Sequence, residues 1–265
     1  VATALLATVG LVAVAPSSSP AQAADASRFD PGLIISDSVF YDFGTMTVKD
    51  IQRFLDSRVP NCNASPTSPG CLKDFTMDIP ATPASEGRCS AIEARTKASA
   101  AQAIYDVARA CGINPRVILV TLQKEQGLVT STNPTEYKYR AAMGMSCPDS
   151  NPAQCGKVDG GFFQQLYKGA GQVQWYNDPR GSFTYLKVGR TITRPLHPNA
   201  SCGTQSFVLK SAATAALYYY TPYVFAVHKD AAGTSAEDLN GKKIGVEAGT
   251  TSEDYINRRL KIDAA

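Results

Sequence analysis

The segment from Gly112 to Gly127, "GINPRVILVTLQKEQG", constrains this chain more than any other. Asn114 followed by Pro115 is a helix entry, an amide cap with proline at the first helical position, and Gly127 is a helix exit. Between them Val117 to Leu122 are apolar almost all round except at Thr121, which predicts a central, enclosed helix. Ile118, Leu122 and Glu125 fall at i, i+4 and i+7 and share one face. A carboxylate therefore ends an apolar stripe. An ionised acid in dry surroundings costs several kcal/mol unless it is paired, and the usual relief is a raised pKa. Glu125 is the first candidate for chemistry.

The rest of the chain supports a helical core around that segment. With 265 residues, 44% of them hydrophobic, there is material for one large packed domain or two small ones. Thr47 with Asp50 predicts a capped helix start, and Ile51, Phe54 and Leu55 give that helix one apolar face before Pro60 stops it. Ser99 caps a second helix in which Ala101, Ile104, Ala108 and Cys111 recur at helical spacing up to Gly112. "GFFQQLYKGAGQVQWYN" is a third, and "SFVLKSAATAALYYYTP" an alanine-rich fourth that closes at Pro222. Residues 60–90 and the stretch from Thr130 to Gly161 are expected as loops, and "SFTYLKVG" as a strand. The fold class is mainly α with a small β contribution, its loops closed by disulfides.

The first 23 residues carry no charge, hold an apolar run of about 15 residues, too short for a bilayer, and end in Ala21-Gln22-Ala23. They read as a secretory signal peptide cut after Ala23, so the mature chain is expected outside the cell with no membrane span. Seven cysteines agree with an oxidising compartment. Cys62 with Cys71 and Cys147 with Cys155 each bracket a short Pro/Asn/Ser-rich loop and are the first choices for pairing. A straight helix over residues 91–111 would hold Cys89 and Cys111 about 30 Å apart and forbid their union. None of the cysteines stands in C-x-x-C spacing and there are two histidines, so no metal site is expected, and nothing calls for a cofactor. A net charge of +3 without a Lys/Arg run gives no nucleic-acid signature. A thiol nucleophile set of Cys147, His197 and Asn199 is weaker, because Cys147 has a neighbour to pair with and His197 stands in no motif.

Three motifs together carry a resemblance. "PRVILVTLQKEQGL" is similar to the helix that presents the catalytic Glu in lysozyme-like and lytic transglycosylase domains. "GFFQQ" is similar to their later Gly-hydrophobic-hydrophobic-Gln motif, and "ATAALYYYTPY" to their alanine-rich helix with a tyrosine. The span from "FDPGLIISDSVFYD" to "YYYTPY" also resembles secreted actinobacterial proteins. The resemblance implies a lysozyme-like helical domain over residues 24–223, a cell-wall glycan as partner, and Glu125 as general acid/base, with Gln126 standing where those families carry a substrate-holding Ser. Donation of a proton to a glycosidic oxygen at neutral pH requires a carboxyl kept protonated, which an apolar helix end favours. Gln164, Gln165 and Tyr219 are candidate sugar-binding groups, since amides and phenols both donate and accept. Phe162, Phe163 and Trp175 are a possible stacking platform. Glu136, Asp149 and Asp159 are available as a second carboxylate, and a lytic transglycosylase manages with one. The alternative reading is a secreted protein that binds wall or glycan without cleaving it.

The tail from residue 221 to 261 resembles another family. "DLNGKKIGVEAGTTSEDYI" is similar to the middle of amino-acid-type extracellular solute-binding proteins, where a Gly-Thr-Thr at a helix start takes the ligand carboxylate. The resemblance implies Thr250 and Thr251 as ligand residues, two short strands and a helix within a fragment covering 224–265, and a chain that looks chimaeric. The oligomeric state is not legible.

Overall fold

In the computed structural model, residues 29–146, 160–196 and 200–220 are described. The order of elements is α1 (Asp37–Phe40), α2 (Val48–Arg58), β1 (Thr76–Ile79), β2 (Arg95–Ser99), α3 (Ala100–Cys111), α4 (Pro115–Gln126), α5 (Glu136–Arg140), α6 (Phe162–Trp175), β3 (Thr191–Pro195), β4 (Thr204–Val208) and α7 (Ala212–Tyr220). The chain is mainly helical with a small β contribution, as the patterning predicts, and the β part is two antiparallel strand pairs, β1–β2 and β3–β4.

Local chemistry starts and stops the long helices where the sequence does. Asp50 N–H donates to Thr47 Oγ1 and Thr47 N–H to Asp50 Oδ2, a complete capping box at the head of α2. Replacing Thr47 with Ala removes the hydroxyl that accepts from Asp50 N–H and donates to Asp50 Oδ2, and is expected to lower the urea midpoint by the equivalent of about 1 kcal/mol. An unchanged midpoint would show that packing of Ile51 and Leu55 alone holds the helix. Ser99 caps α3, Asn114 caps α4, and Gly112 and Gly127 close those helices in the left-handed conformation, where a side chain would be strained.

Helix α3 is the axis of the core. Ala100, Ala101, Ala103, Ile104, Val107, Ala108 and Cys111 are all buried on it, and the small side chains let α2, α4 and α6 pack close. Helix α4 is less enclosed than its letters suggest. Ile118, Leu119 and Leu122 are buried, but Val120 is 66% exposed, so the apolar girdle has an open side. A stripe of four buried residues on one flank, Pro115 and these three, is enough to dock a twelve-residue helix, and the extra valine plays no part in it.

Three further expectations are corrected. Residues 60–90 are not loop throughout: Thr76–Ile79 pairs with Arg95–Ser99, in the register Thr76 to Ser99 and Met77 to Ala98, with a bulge before Ile79 reaches Arg95. The stretch "SFTYLKVG" forms turns, ending at Gly189 with φ +83°, and the strands lie just beyond it. Residues Ser206–Val208, read as helix, belong to β4, and α7 starts only at Ala212.

The largest correction concerns disulfides. Cys62 pairs with Cys71 as expected, but Cys89 also pairs with Cys111, with Cα atoms 4.1 Å apart. The premise of a straight helix from residue 91 fails because α3 begins at Ala100. The chain before it runs back along β1, which returns Cys89 to the far end of α3. Cys147 and Cys155, and with them the thiol set that includes His197 and Asn199, lie outside the described residues. Cys202 is exposed and unpaired.

A second, smaller cluster of Leu186, Ile192, Leu209, Ala215 and Tyr218 joins the β3–β4 hairpin to α7. Asp37 ties this part to the start of the domain, accepting from the N–H groups of Ala212 and Ala213 at the head of α7. Among the described residues no helix is long and apolar enough to cross a membrane.

Candidate functional site

Glu125 sits in the last turn of α4, where the helix leaves the core. Its side chain is 21% exposed, and Oε1 accepts from Lys124 Nζ at 2.8 Å. The carboxylate rests against the turn at Gly144. A Cβ at Gly144 would stand 3.0 Å from Oε2 of Glu125, and the residue's φ of +71° is itself unfavourable to side chains. Glycine is therefore required twice at this position, once for the turn and once for the carboxylate beside it.

That turn is held from beneath by α6. The side chain of Gln165, fully buried, accepts from the N–H groups of Met143 and Met145 through Oε1 and donates through Nε2 to the Met145 carbonyl. Met143 enters a notch at Gly169 of α6, where a Cβ would lie 2.9 Å from its methyl carbon. On the other side Lys138 of α5 donates to the Gln126 carbonyl at 2.8 Å, satisfying an orphan acceptor at the end of α4 and placing positive charge at the negative end of the helix dipole. Gln123 bonds Thr130 through side chain and backbone, folding the chain back over the helix end. These contacts thus fix the helix end and the turn on either side of one mostly covered carboxylate.

The other expected site residues divide. Gln126 and Gln164 are half-buried at the end of α4 and the start of α6. Gln165 is close to Glu125 through the turn it holds, but its amide is spent on backbone and does not face solvent. Tyr219 is elsewhere. Its hydroxyl accepts from Leu186 N–H at 2.6 Å, and its ring packs on Tyr176 and Phe183. Tyr176 directly follows α6 and Gln165 is near its start, so about 16 Å of helix separates the two. Phe162 and Phe163 are core residues, and Phe162 packs edge-on to Phe75 and Tyr139. Burial raises the Tyr139 phenol well above its usual range, and its hydroxyl donates to the Gly70 carbonyl. Trp175 lies under the Arg88 guanidinium, 4.7 Å from the ring centroid. Glu136 is exposed on α5. Asp149, Asp159, Thr250 and Thr251 lie outside the described residues. Among the described residues no group of three or more His, Cys, Asp or Glu could hold a metal ion.

A model of the family described as LasA, N-terminal domain, matches residues 33–175. The chain belongs to that family. The LasA N-terminal domain segment runs from just before α1 to the last residue of α6, and so contains Glu125, Gly144 and Gln165. The β3–β4 hairpin and α7, with Tyr219, lie beyond it. No curated protein and no solved structure matches the chain. The family that matches is thus neither of the two that the motifs resemble.

The sequence gives no hint of a second feature, which lies mostly within that segment and extends past its end at residue 175. An open depression of about 630 Å³ lies between the loop of Ala84 to Ser90, the end of α3 and the residues from Gln174 to Asp178, and Glu125 does not line it. Its two carboxylates, Glu86 and Asp178, are both bound by Arg180. The guanidinium holds the Asp178 carboxyl down at about 2. Both acids of the depression are thus engaged by one guanidinium.

Proposed function

We propose that this protein is secreted and acts on the bacterial cell wall, cleaving its glycan with Glu125 as the proton donor. The family supports the broader part of this reading, since LasA itself is a secreted staphylolytic peptidase. The observation that carries the finer part is the lodging of Glu125: a mostly covered carboxylate at the end of a core helix, against a glycine that leaves room for it. Oε1, now paired with Lys124, is the oxygen that would meet the glycosidic oxygen, the substrate taking the place of the ammonium. On this reading Gln126, next in the chain, and Gln164, at the start of α6, would supply sugar-binding amides, and Gln165 would act through the Gly144 turn. A hydrolytic route needs a second carboxylate about 5–9.5 Å away, and a route in which a sugar hydroxyl attacks does not.

The test is clearing of insoluble cell walls by the wild type and by Glu125→Gln. Loss of a general acid is expected to slow clearing roughly 10²–10⁴-fold, with soluble sugar ends appearing only for the wild type. Equal clearing by both would remove Glu125 from the chemistry. The second reading, wall binding without cleavage, is favoured by the Lys124–Glu125 ion pair. It predicts that both proteins sediment with the walls and neither releases sugar. Solute binding by the tail, with Thr250 and Thr251 as carboxylate ligands, predicts heat on titration with amino acids.

A further inference from the structure

The depression beside the Cys89–Cys111 disulfide has a charge arrangement that the wall-glycan reading does not use. Cys89 and Cys111 form its floor, and Ala84, Ala110 and Gly112 give it small apolar walls. Arg88 and Arg109 line it. Among the described residues neither guanidinium meets a carboxylate. Arg88 is half-buried, its stem against Gly171 of α6, its Nη1 donating to Gln172 Oε1 at 2.8 Å and its plane over Trp175. Arg109 lies over the rings of Phe43 and Tyr105. The nearby acids cannot neutralise them, because Arg180 holds Asp178 with two parallel bonds and takes Glu86 as well. That triad depends on Gly87: at φ +70° it brings the loop so close that a Cβ would collide with the Asp178 carboxylate. Four charged residues therefore line the depression, and with Glu86 and Asp178 both taken by Arg180 the positive excess lies on Arg88 and Arg109.

The walls do not move easily. Ser85 and Cys89 bridge the loop to itself, Ser90 N–H donates to the Ala110 carbonyl, and the disulfide joins loop to helix. A preformed site loses little ordering entropy on binding. Guanidiniums supported on aromatic faces, less hydrated than ammonium groups, present planar forks that match a two-oxygen acceptor. The small apolar walls beside them accept a methyl-sized substituent.

We infer that this depression binds the C-terminal carboxylate of a short, small-residue peptide, with Arg88 and Arg109 as the carboxylate clamp. Both arginines are far from any role in proton donation, so the site stands whether or not Glu125 is an acid. The probe is trialanine, free and C-amidated, titrated by calorimetry or by amide chemical shifts into the full chain. Free trialanine is expected to bind and the amide to bind at least tenfold more weakly, since it offers one neutral oxygen in place of two charged ones. Arg109→Gln, at an exposed position, and Arg88→Lys, which keeps the charge and loses the fork, are each expected to weaken binding about tenfold. Glu125→Gln is expected to bind as the wild type does. Equal binding of free and amidated peptide, or undiminished binding by both arginine variants, would overturn the assignment. Inorganic phosphate displacing the peptide at equal concentration would make the site a general anion site and overturn the peptide carboxylate.

Discussion

Gln165→Leu is expected to be among the most damaging single substitutions in this protein. Leucine fills a similar volume, so the loss is one of hydrogen bonding. The Met143 and Met145 N–H groups and the Met145 carbonyl all lose the partner they now have in one buried amide. A buried backbone group left without a partner costs about 1–3 kcal/mol, so the three together come to about 3–9 kcal/mol if the turn stays in place. The turn can instead lift away from α6, which lowers that cost but withdraws Gly144 from Glu125 and Met143 from its notch at Gly169. Either way the effect reads twice. Urea unfolding should show a midpoint shift of that size, and hydrogen exchange at Gly144 and Met145 should accelerate even where the fold survives. Wall clearing should fall together with it if Glu125 is the donor. A Gln165→Leu variant with wild-type exchange at those amides would mean that the turn is held by something other than the amide.

Removal of the Cys89–Cys111 disulfide by a double substitution to Ala is expected to cost about 3 kcal/mol. The bond spans 22 residues, and closing a loop of that length in the unfolded chain accounts for most of that figure on the chain-entropy account. For a domain of this size the melting temperature should drop by roughly 6–12 °C. Both cysteines are buried, so alanines keep the surroundings apolar and introduce no unpaired polar group. The loop enclosed contains β2 and all of α3, so the cross-link restrains the axis of the core. The Cys62–Cys71 bridge spans 9 residues and fastens a peripheral loop, where Asn63 N–H donates to the Thr132 carbonyl. Its removal should cost less and leave trialanine binding intact, whereas loss of Cys89–Cys111 should weaken that binding as well. Melting curves that coincide for the two double variants would contradict this ranking.

The helices were legible because their ends are written locally. A capping box at Thr47 and Asp50, a serine at residue 99, Asn114 with Pro115, and glycines at 112 and 127 each act on neighbours within four residues. The apolar repeat of α6 could likewise be read, as could the short Cys62–Cys71 loop. Strands were less legible. β1 and β2 are four and five residues long, mostly exposed, and mean nothing until paired with each other. Tetrapeptides such as "TMDI" carry no period that separates strand from loop.

The candidate site divides along the same line. From its letters alone the chain determines that an acid ends an apolar helix at residue 125, and that a glycine-bearing turn and a pair of glutamines follow. Tertiary structure alone decides that Gln165 points inward to hold that turn, that Tyr219 fastens the segment at Leu186, and that Cys89 returns to Cys111 beside two arginines that meet no carboxylate among the described residues. The physical reason is range. Caps and periodicity act over a few residues, but the partner of a buried amide, a phenol or a thiol is set by which distant segments the core draws together.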